Sequence, residues 1–143
     1  MAQTRRRTAN PVPDAARDAD LVAAARAVRA NSYSPYSKYA VGAALRGASG
    51  KVYTGVNVEN AAYPLTMCAE RAAIYAAVSQ GERTFDAIAV VTANGGTPCG
   101  ACRQVLAEFR VPRVIVAGKG RRTLSYTLAE LLPHSFDARK LPR

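Results

Sequence analysis

The chain holds three cysteines, Cys68, Cys99 and Cys102, and a single histidine, His134. The placing of those cysteines constrains the fold more than any other feature. Cys99 and Cys102 stand in Pro98-Cys99-Gly100-Ala101-Cys102, and proline suits a helix start, where a missing N–H costs nothing. Two cysteines three apart in a first helical turn share one face, so both sulfurs can reach a single ion. Cys68 opens a second helical pattern running to about Ser79, with Ala72, Ala73, Ala76 and Ala77 as its compact residues and Gly81 closing it. Free N–H groups and the positive end of a helix lower thiol pKa values and favour the thiolate a metal needs. The expectation is two helix N-termini converging on one metal.

Three cysteine ligands is an informative number. A closed structural zinc site takes four protein ligands, whereas a catalytic site takes three and keeps a position for water. His134, in Leu131-Leu132-Pro133-His134, lacks partner spacing, so a structural site with His134 as fourth ligand ranks lower. A redox Cys-x-x-Cys pair ranks lower still, because it leaves Cys68-Ala69-Glu70 without a purpose. Glu70 follows Cys68 in the same turn. It is either a carboxylate interacting with the helix dipole or a proton carrier beside a metal-activated water. Arg71 comes next, either as a surface ion pair or as a donor that offsets the net charge of three thiolates on Zn²⁺.

Elsewhere, Asp14–Asn31 is an alanine-rich pattern with Leu21, Val22, Ala25 and Val28 at helical spacing, stopped before the turn-prone Ser34-Pro35-Tyr36-Ser37. Val41–Leu45 and Val52–Val58 read as a hairpin around Gly47-Ala48-Ser49-Gly50. Ala87–Val91, Val114–Ala117 and Leu124–Tyr126 read as further strands. Helices are expected over Cys99–Phe109, with Val105, Leu106 and Phe109 inward, and around Leu128–Leu132. Helices alternating with strands make an α/β sandwich with a hairpin opening the sheet. The 143 residues suit one domain, read as residues 14–143 behind a flexible basic extension, residues 1–13.

No apolar run approaches a membrane span, and no apolar segment follows Arg5-Arg6-Arg7, so a cytoplasmic protein with reduced thiols is expected. The formal net charge of +10 raises the alternative of a zinc-dependent nucleic-acid-binding module. The basic residues are dispersed, however, with no stripe interleaved with aromatics. A solvated basic surface is the simpler reading.

Cys68-Ala69-Glu70-Arg71 with Pro98-Cys99-Gly100-Ala101-Cys102-Arg103-Gln104 resembles the signature of the small, nucleoside-specific cytidine deaminases. Ser34-Pro35-Tyr36-Ser37-Lys38-Tyr39 with Val41-Gly42-Ala43-Ala44 is similar to that family's first segment. Asn57-Val58-Glu59-Asn60-Ala61-Ala62-Tyr63 is similar to its sugar-binding segment, and Glu130-Leu131-Leu132-Pro133-His134-Ser135-Phe136 to its C-terminal one. The resemblance runs over about residues 15 to 141. It implies a three-layer α/β/α sandwich on a mixed sheet of about five strands. It also implies one Zn²⁺ per subunit on Cys68, Cys99 and Cys102, and hydrolytic deamination of cytidine and 2′-deoxycytidine in pyrimidine salvage, with Glu70 carrying protons.

By the same resemblance, Asn57 and Glu59 hold the sugar hydroxyls, Tyr39 packs on the substrate where the family often has phenylalanine, and backbone near Ala69 and Pro98 orients the amino group. Ala61, Tyr63 and Phe136 complete a neighbouring subunit's pocket, which implies a homotetramer. Blasticidin S or a polynucleotide cytosine are the competing substrates, and the Asn57/Glu59 pair favours a free nucleoside. Two departures from the pattern are a shorter loop, Thr92–Thr97, before Pro98 and the arginine-rich N-terminal extension.

Overall fold

The computed structural model describes residues 14–142, so the extension at residues 1–13 lies outside it. Five strands form one sheet in the order β2-β1-β3-β4-β5. β1 (Gly42–Gly47) pairs antiparallel with β2 (Val52–Val56) and with β3 (Phe85–Val91); β3 runs parallel to β4 (Arg113–Ala117), which pairs antiparallel with β5 (Thr123–Thr127). The parallel β3–β4 pair needs a crossover, and α3 (Gly100–Glu108) supplies it. α1 (Asp14–Val28) lies on one face of the sheet, while α2 (Ala69–Ser79) and α3 lie on the other; α4 (Leu128–Leu131) follows β5. This is the expected three-layer sandwich on a mixed sheet.

Strand alternation divides the core in two. Ala44, Ala89, Val91, Ile115 and Ala117 face Leu21, Val22 and Ala25 of α1, whereas Leu45, Ile88, Val90, Val114 and Val116 face Ala73, Ile74 and Leu106. Small residues set the depth of the helices. Ala69, Ala73 and Ala77 recur every fourth residue on the buried stripe of α2. A Cβ on Gly55 of β2 would stand 2.5 Å from the Ala69 carbonyl oxygen and 2.4 Å from the Ala73 nitrogen. The glycine therefore lets the first turn of α2, which carries Glu70, rest directly on the sheet.

The first helix is pinned by charge as well as by apolar packing. Arg46 of β1 is buried; its Nε donates to Asp86 (2.9 Å), its Nη1 to the Arg17 carbonyl (2.8 Å), and Asp18 stands 3.4 Å from its Nη2. Arg113 of β4 grips Asp18 with two hydrogen bonds, at 2.7 and 2.9 Å. Arg29 also leaves the solvated role read from sequence, donating to the carbonyl of Ala40, while Arg26 stays exposed and donates to the carbonyls of Gly118 and Gly120.

The element ends differ from expectation for a local reason. The hairpin strands stop at Gly42 and Val56 because the Asn57 side chain intervenes: the Val41 N–H donates to Asn57 Oδ1 (2.9 Å) and not to a strand carbonyl. Val58 then makes isolated bridges to Tyr33 and Met67. Cys68 and Cys99 stand just outside their helices as the N-cap residues, and the last turn expected for α1 is a separate 3₁₀ turn, Arg29–Asn31.

Candidate active site

The N-termini of α2 and α3 meet at the β3 end of their sheet face and bring the three cysteines together. Cys68 and Cys99 have extended N-cap backbones, and neither side chain caps its helix, so both sulfurs remain free for another partner. Cys102 is buried in the first turn of α3. The three sulfurs lie within 4.8 Å of one another, with 3.8 Å between those of Cys68 and Cys99. Zinc–sulfur bonds of about 2.3 Å in tetrahedral array place sulfurs about 3.8 Å apart, so the donor set fits zinc. Among the described residues this is the one cluster of three or more metal-ligating groups. His134 is not part of it; it lines a separate cleft beside α4.

Electrostatics within the cluster favour a thiolate at Cys68. Arg71 Nη2 donates to Cys68 Sγ (3.4 Å), while its Nε is buried without a partner. A Cys102 S–H donating to Cys68 is the main cause that lowers the Cys68 thiol to about 5, with Arg71 and Cys99 adding to it. Cys102 is raised in turn, by that shared proton and by its burial. Glu70 is also raised, chiefly because burial penalises its charge, with the Cys68 thiolate adding to the effect. A carboxyl that holds its proton more tightly than usual is suited to taking one up and returning it.

Glu70, Cys68 and Cys99 line a cavity of about 490 Å³ together with Asn57 and Glu59. The geometry sharpens the expected sugar contacts. Asn57 Oδ1 already accepts from Ser32 Oγ (2.5 Å) and the Val41 N–H, and its Nδ2 donates to the Tyr39 carbonyl (2.8 Å). Of its two amide N–H groups, one is left for a ligand. Glu59 is held by Ser37, whose Oγ and N–H donate to it at 2.8 and 3.2 Å. Tyr39 and Ala69 line the cavity as well.

Ala61, Tyr63 and Phe136 do not. All three are exposed, Tyr63 to 70% and Phe136 to 55%, and Tyr63 meets Tyr36 edge-on at 6.0 Å. Sequence reasoning missed Ser32 and Ser37 as supports and Thr92, Gly96 and Thr97 as cavity wall. Ser37 sat inside a turn motif already singled out, and Thr92–Thr97 inside a loop noted only for its length.

Comparison with known proteins points one way. Residues 16–118 match the model of the cytidine and deoxycytidylate deaminase zinc-binding region. A cytidine deaminase of Sporosarcina psychrophila is 47% identical over 126 residues, 85% of this chain and 92% of that protein. One from Halalkalibacterium halodurans is 45% identical over 122 residues, 82% of this chain and 92% of the relative. The crystal structure of the cytidine deaminase from Burkholderia pseudomallei superposes with a TM-score of 0.79 at 44% identity, covering 82% of this chain and 98% of that one.

Proposed function

The chain belongs to the zinc-binding cytidine deaminase family and is a zinc hydrolase that deaminates cytidine, and from that premise we propose how its residues divide the work. Cys68, Cys99 and Cys102 hold the ion, which when bound supplies Lewis-acid activation of water at the position three thiolates leave open. Arg71 offsets the charge of the thiolates through its contact with Cys68. Asn57 and Glu59 hold the sugar hydroxyls, so the base extends toward Glu70. The Glu70 carboxylate takes a proton from water as its oxygen adds to C4 and delivers it to the ring nitrogen. It then takes the second proton from the added hydroxyl and passes it to the amine as the C4–N bond breaks. Water and cytidine become uridine and ammonia. 2′-Deoxycytidine is a second substrate, and backbone at Ala69 and Pro98 orients the amino group.

The observation carrying this assignment is the buried carboxyl of Glu70 in one cavity with the three-sulfur cluster. Its test is ammonia release from cytidine, 2′-deoxycytidine and blasticidin S by zinc-loaded protein, beside metal analysis of Cys102→Ser. Turnover of both nucleosides and loss of the one bound zinc in the variant are expected. Turnover of blasticidin S alone would overturn the substrate assignment.

A homotetramer completes the pocket in this reading. Ala61, Tyr63 and Phe136 stand exposed and away from their own chain's cavity, which supports their serving a neighbour's. Sedimentation of the purified protein tests the assembly; a monomer with full activity would refute it. Three reduced thiols suit a cytoplasmic setting. Among the described residues, no helix is long and apolar enough to cross a membrane.

A further inference from the structure

The loop before Pro98 is tied to the opposite wall of the cavity by one tyrosine hydroxyl. Tyr39 Oη donates to Asn94 Oδ1 at 2.7 Å, and Thr92 Oγ donates to the same oxygen at 3.3 Å. Thr92 Oγ in turn accepts from the N–H groups of Gly95 and Gly96, at 2.8 and 2.9 Å, folding the loop around it. The hydroxyl also fills the space a side chain at Gly96 would need: a Cβ there would stand 2.7 Å from Tyr39 Oη. Behind the loop, Asn94 bridges to Gly118, whose carbonyl accepts from Arg26 of α1 at 2.8 Å. The loop is therefore braced by α1 on its outer side and held to the pocket wall by Tyr39 on its inner side.

Tyr39, Thr92, Gly96 and Thr97 all line the cavity that holds Glu70 and Asn57. We propose that Asn94 is a positioning residue for substrate binding: with the Tyr39 hydroxyl it forms a latch that sets the Thr92–Thr97 wall against the nucleoside. The proposal rests on the nucleoside reading given above and adds to it a residue outside the cavity lining. It also gives the Tyr39 hydroxyl a task separate from packing of the ring. The acceptor is the side-chain oxygen of Asn94, since both hydroxyls donate to it, so an aspartate at 94 keeps the latch while an apolar residue removes it.

Cytidine kinetics on Tyr39→Phe, Asn94→Leu, Asn94→Asp and the double variant Tyr39→Phe/Asn94→Leu test this. Loss of the Tyr39–Asn94 hydrogen bond is expected to raise KM about fivefold in Tyr39→Phe, and Asn94→Leu, which also removes the longer Thr92 contact, is expected to do at least as much, with a smaller change in kcat. The double variant is expected to be no worse than Asn94→Leu alone, because that variant has already removed the partner of the Tyr39 hydroxyl. Asn94→Asp is expected to stay within about twofold of the parent, which a general loosening of the loop would not allow. Unchanged KM in Tyr39→Phe, additive effects in the double variant, or an Asn94→Asp enzyme resembling Asn94→Leu would each overturn the latch. Should Asn94→Leu fail to fold, Tyr39→Phe against Asn94→Asp still decides. Failure of the parent to turn over cytidine would instead overturn the nucleoside reading itself.

Discussion

Arg46 on the α1 face of the sheet and Glu70 on the α2 face are equally hidden, each 5% exposed, yet they are buried in opposite ways. Arg46 spends its guanidinium on Asp86, Asp18 and a carbonyl of α1. Asp18, between Arg46 and Arg113, is held below the usual carboxylate range, chiefly by hydrogen bonds from Arg113. Glu70 forms no ion pair among the described residues; burial, with the Cys68 thiolate adding, outweighs its hydrogen bonds and pushes its carboxyl up. One face of the sheet thus neutralises its charges and fastens a helix. The other gathers a carboxyl and three sulfurs beside a cavity with one arginine at Cys68 to offset them, which suits a site that binds metal and moves protons.

Replacing Glu70 with glutamine breaks the comparison most sharply. The amide keeps shape and cannot carry the proton, so kcat for cytidine should fall by about 10³-fold or more. Zinc content should remain one per chain and the melting temperature should not fall, because a strained charge has been removed. Near-normal turnover would show that Glu70 is no more than a buried helix-start residue. Arg46→Ala should do the reverse. It leaves Asp86 and Asp18 under-compensated, at a cost of about 3 kcal/mol in a denaturation experiment. Activity per folded molecule should hold, because Arg46 and its partners lie across the sheet from the cavity.

Acid sharpens the same contrast by a smaller amount. Asp18 has a folded pKa lowered from 3.8. Its stabilisation is therefore complete above that value and is lost as the pH falls through the lower folded pKa. Exposure of Arg113 to about a third limits the effect to about 1 kcal/mol. Unfolding measured from pH 6 down to pH 2 should show the parent losing more stability than Asp18→Asn over the acid end of that range. Parallel profiles would remove Asp18 from the account.

The two regions also differ in how far a sequence discloses them. Cys68, Glu70, Cys99 and Cys102 were legible because each pair sits within a single helical turn, where spacing and geometry are the same thing. The strands themselves followed equally from local patterns, since Ala87–Val91 and Val114–Ala117 are apolar runs too short for helices, whereas their order in the sheet did not. The charge cluster had no such signal. Arg113 and Asp18 are 95 positions apart, and Arg46 and Asp86 are 40 apart, so those arginines looked like dispersed surface charge. The supports of the pocket were hidden for the same reason: Tyr39 and Asn94 meet across 55 positions and Ser32 and Asn57 across 25. The ends of β1 and β2 were missed because a side-chain amide, Asn57, replaces a ladder hydrogen bond there, and strand patterns do not register that exchange.

Ser32 gives the finest test of how the open side of the molecule is built. Its hydroxyl and the Val41 N–H together occupy Asn57 Oδ1, which leaves one amide N–H for the sugar contact proposed above. Ser32→Ala removes one of those two anchors while the Val41 N–H and the Tyr39 carbonyl still hold the side chain. The amide should therefore loosen without leaving its place, raising KM for cytidine about two- to threefold at nearly constant kcat. The same variant should melt close to the parent, since Asn57 keeps its other partners. A fall in kcat with KM unchanged would mean that Asn57 acts on the reacting base and not on the sugar. The division of the cavity into a sugar end at Asn57 and Glu59 and a reactive end at Glu70 would then have to be redrawn.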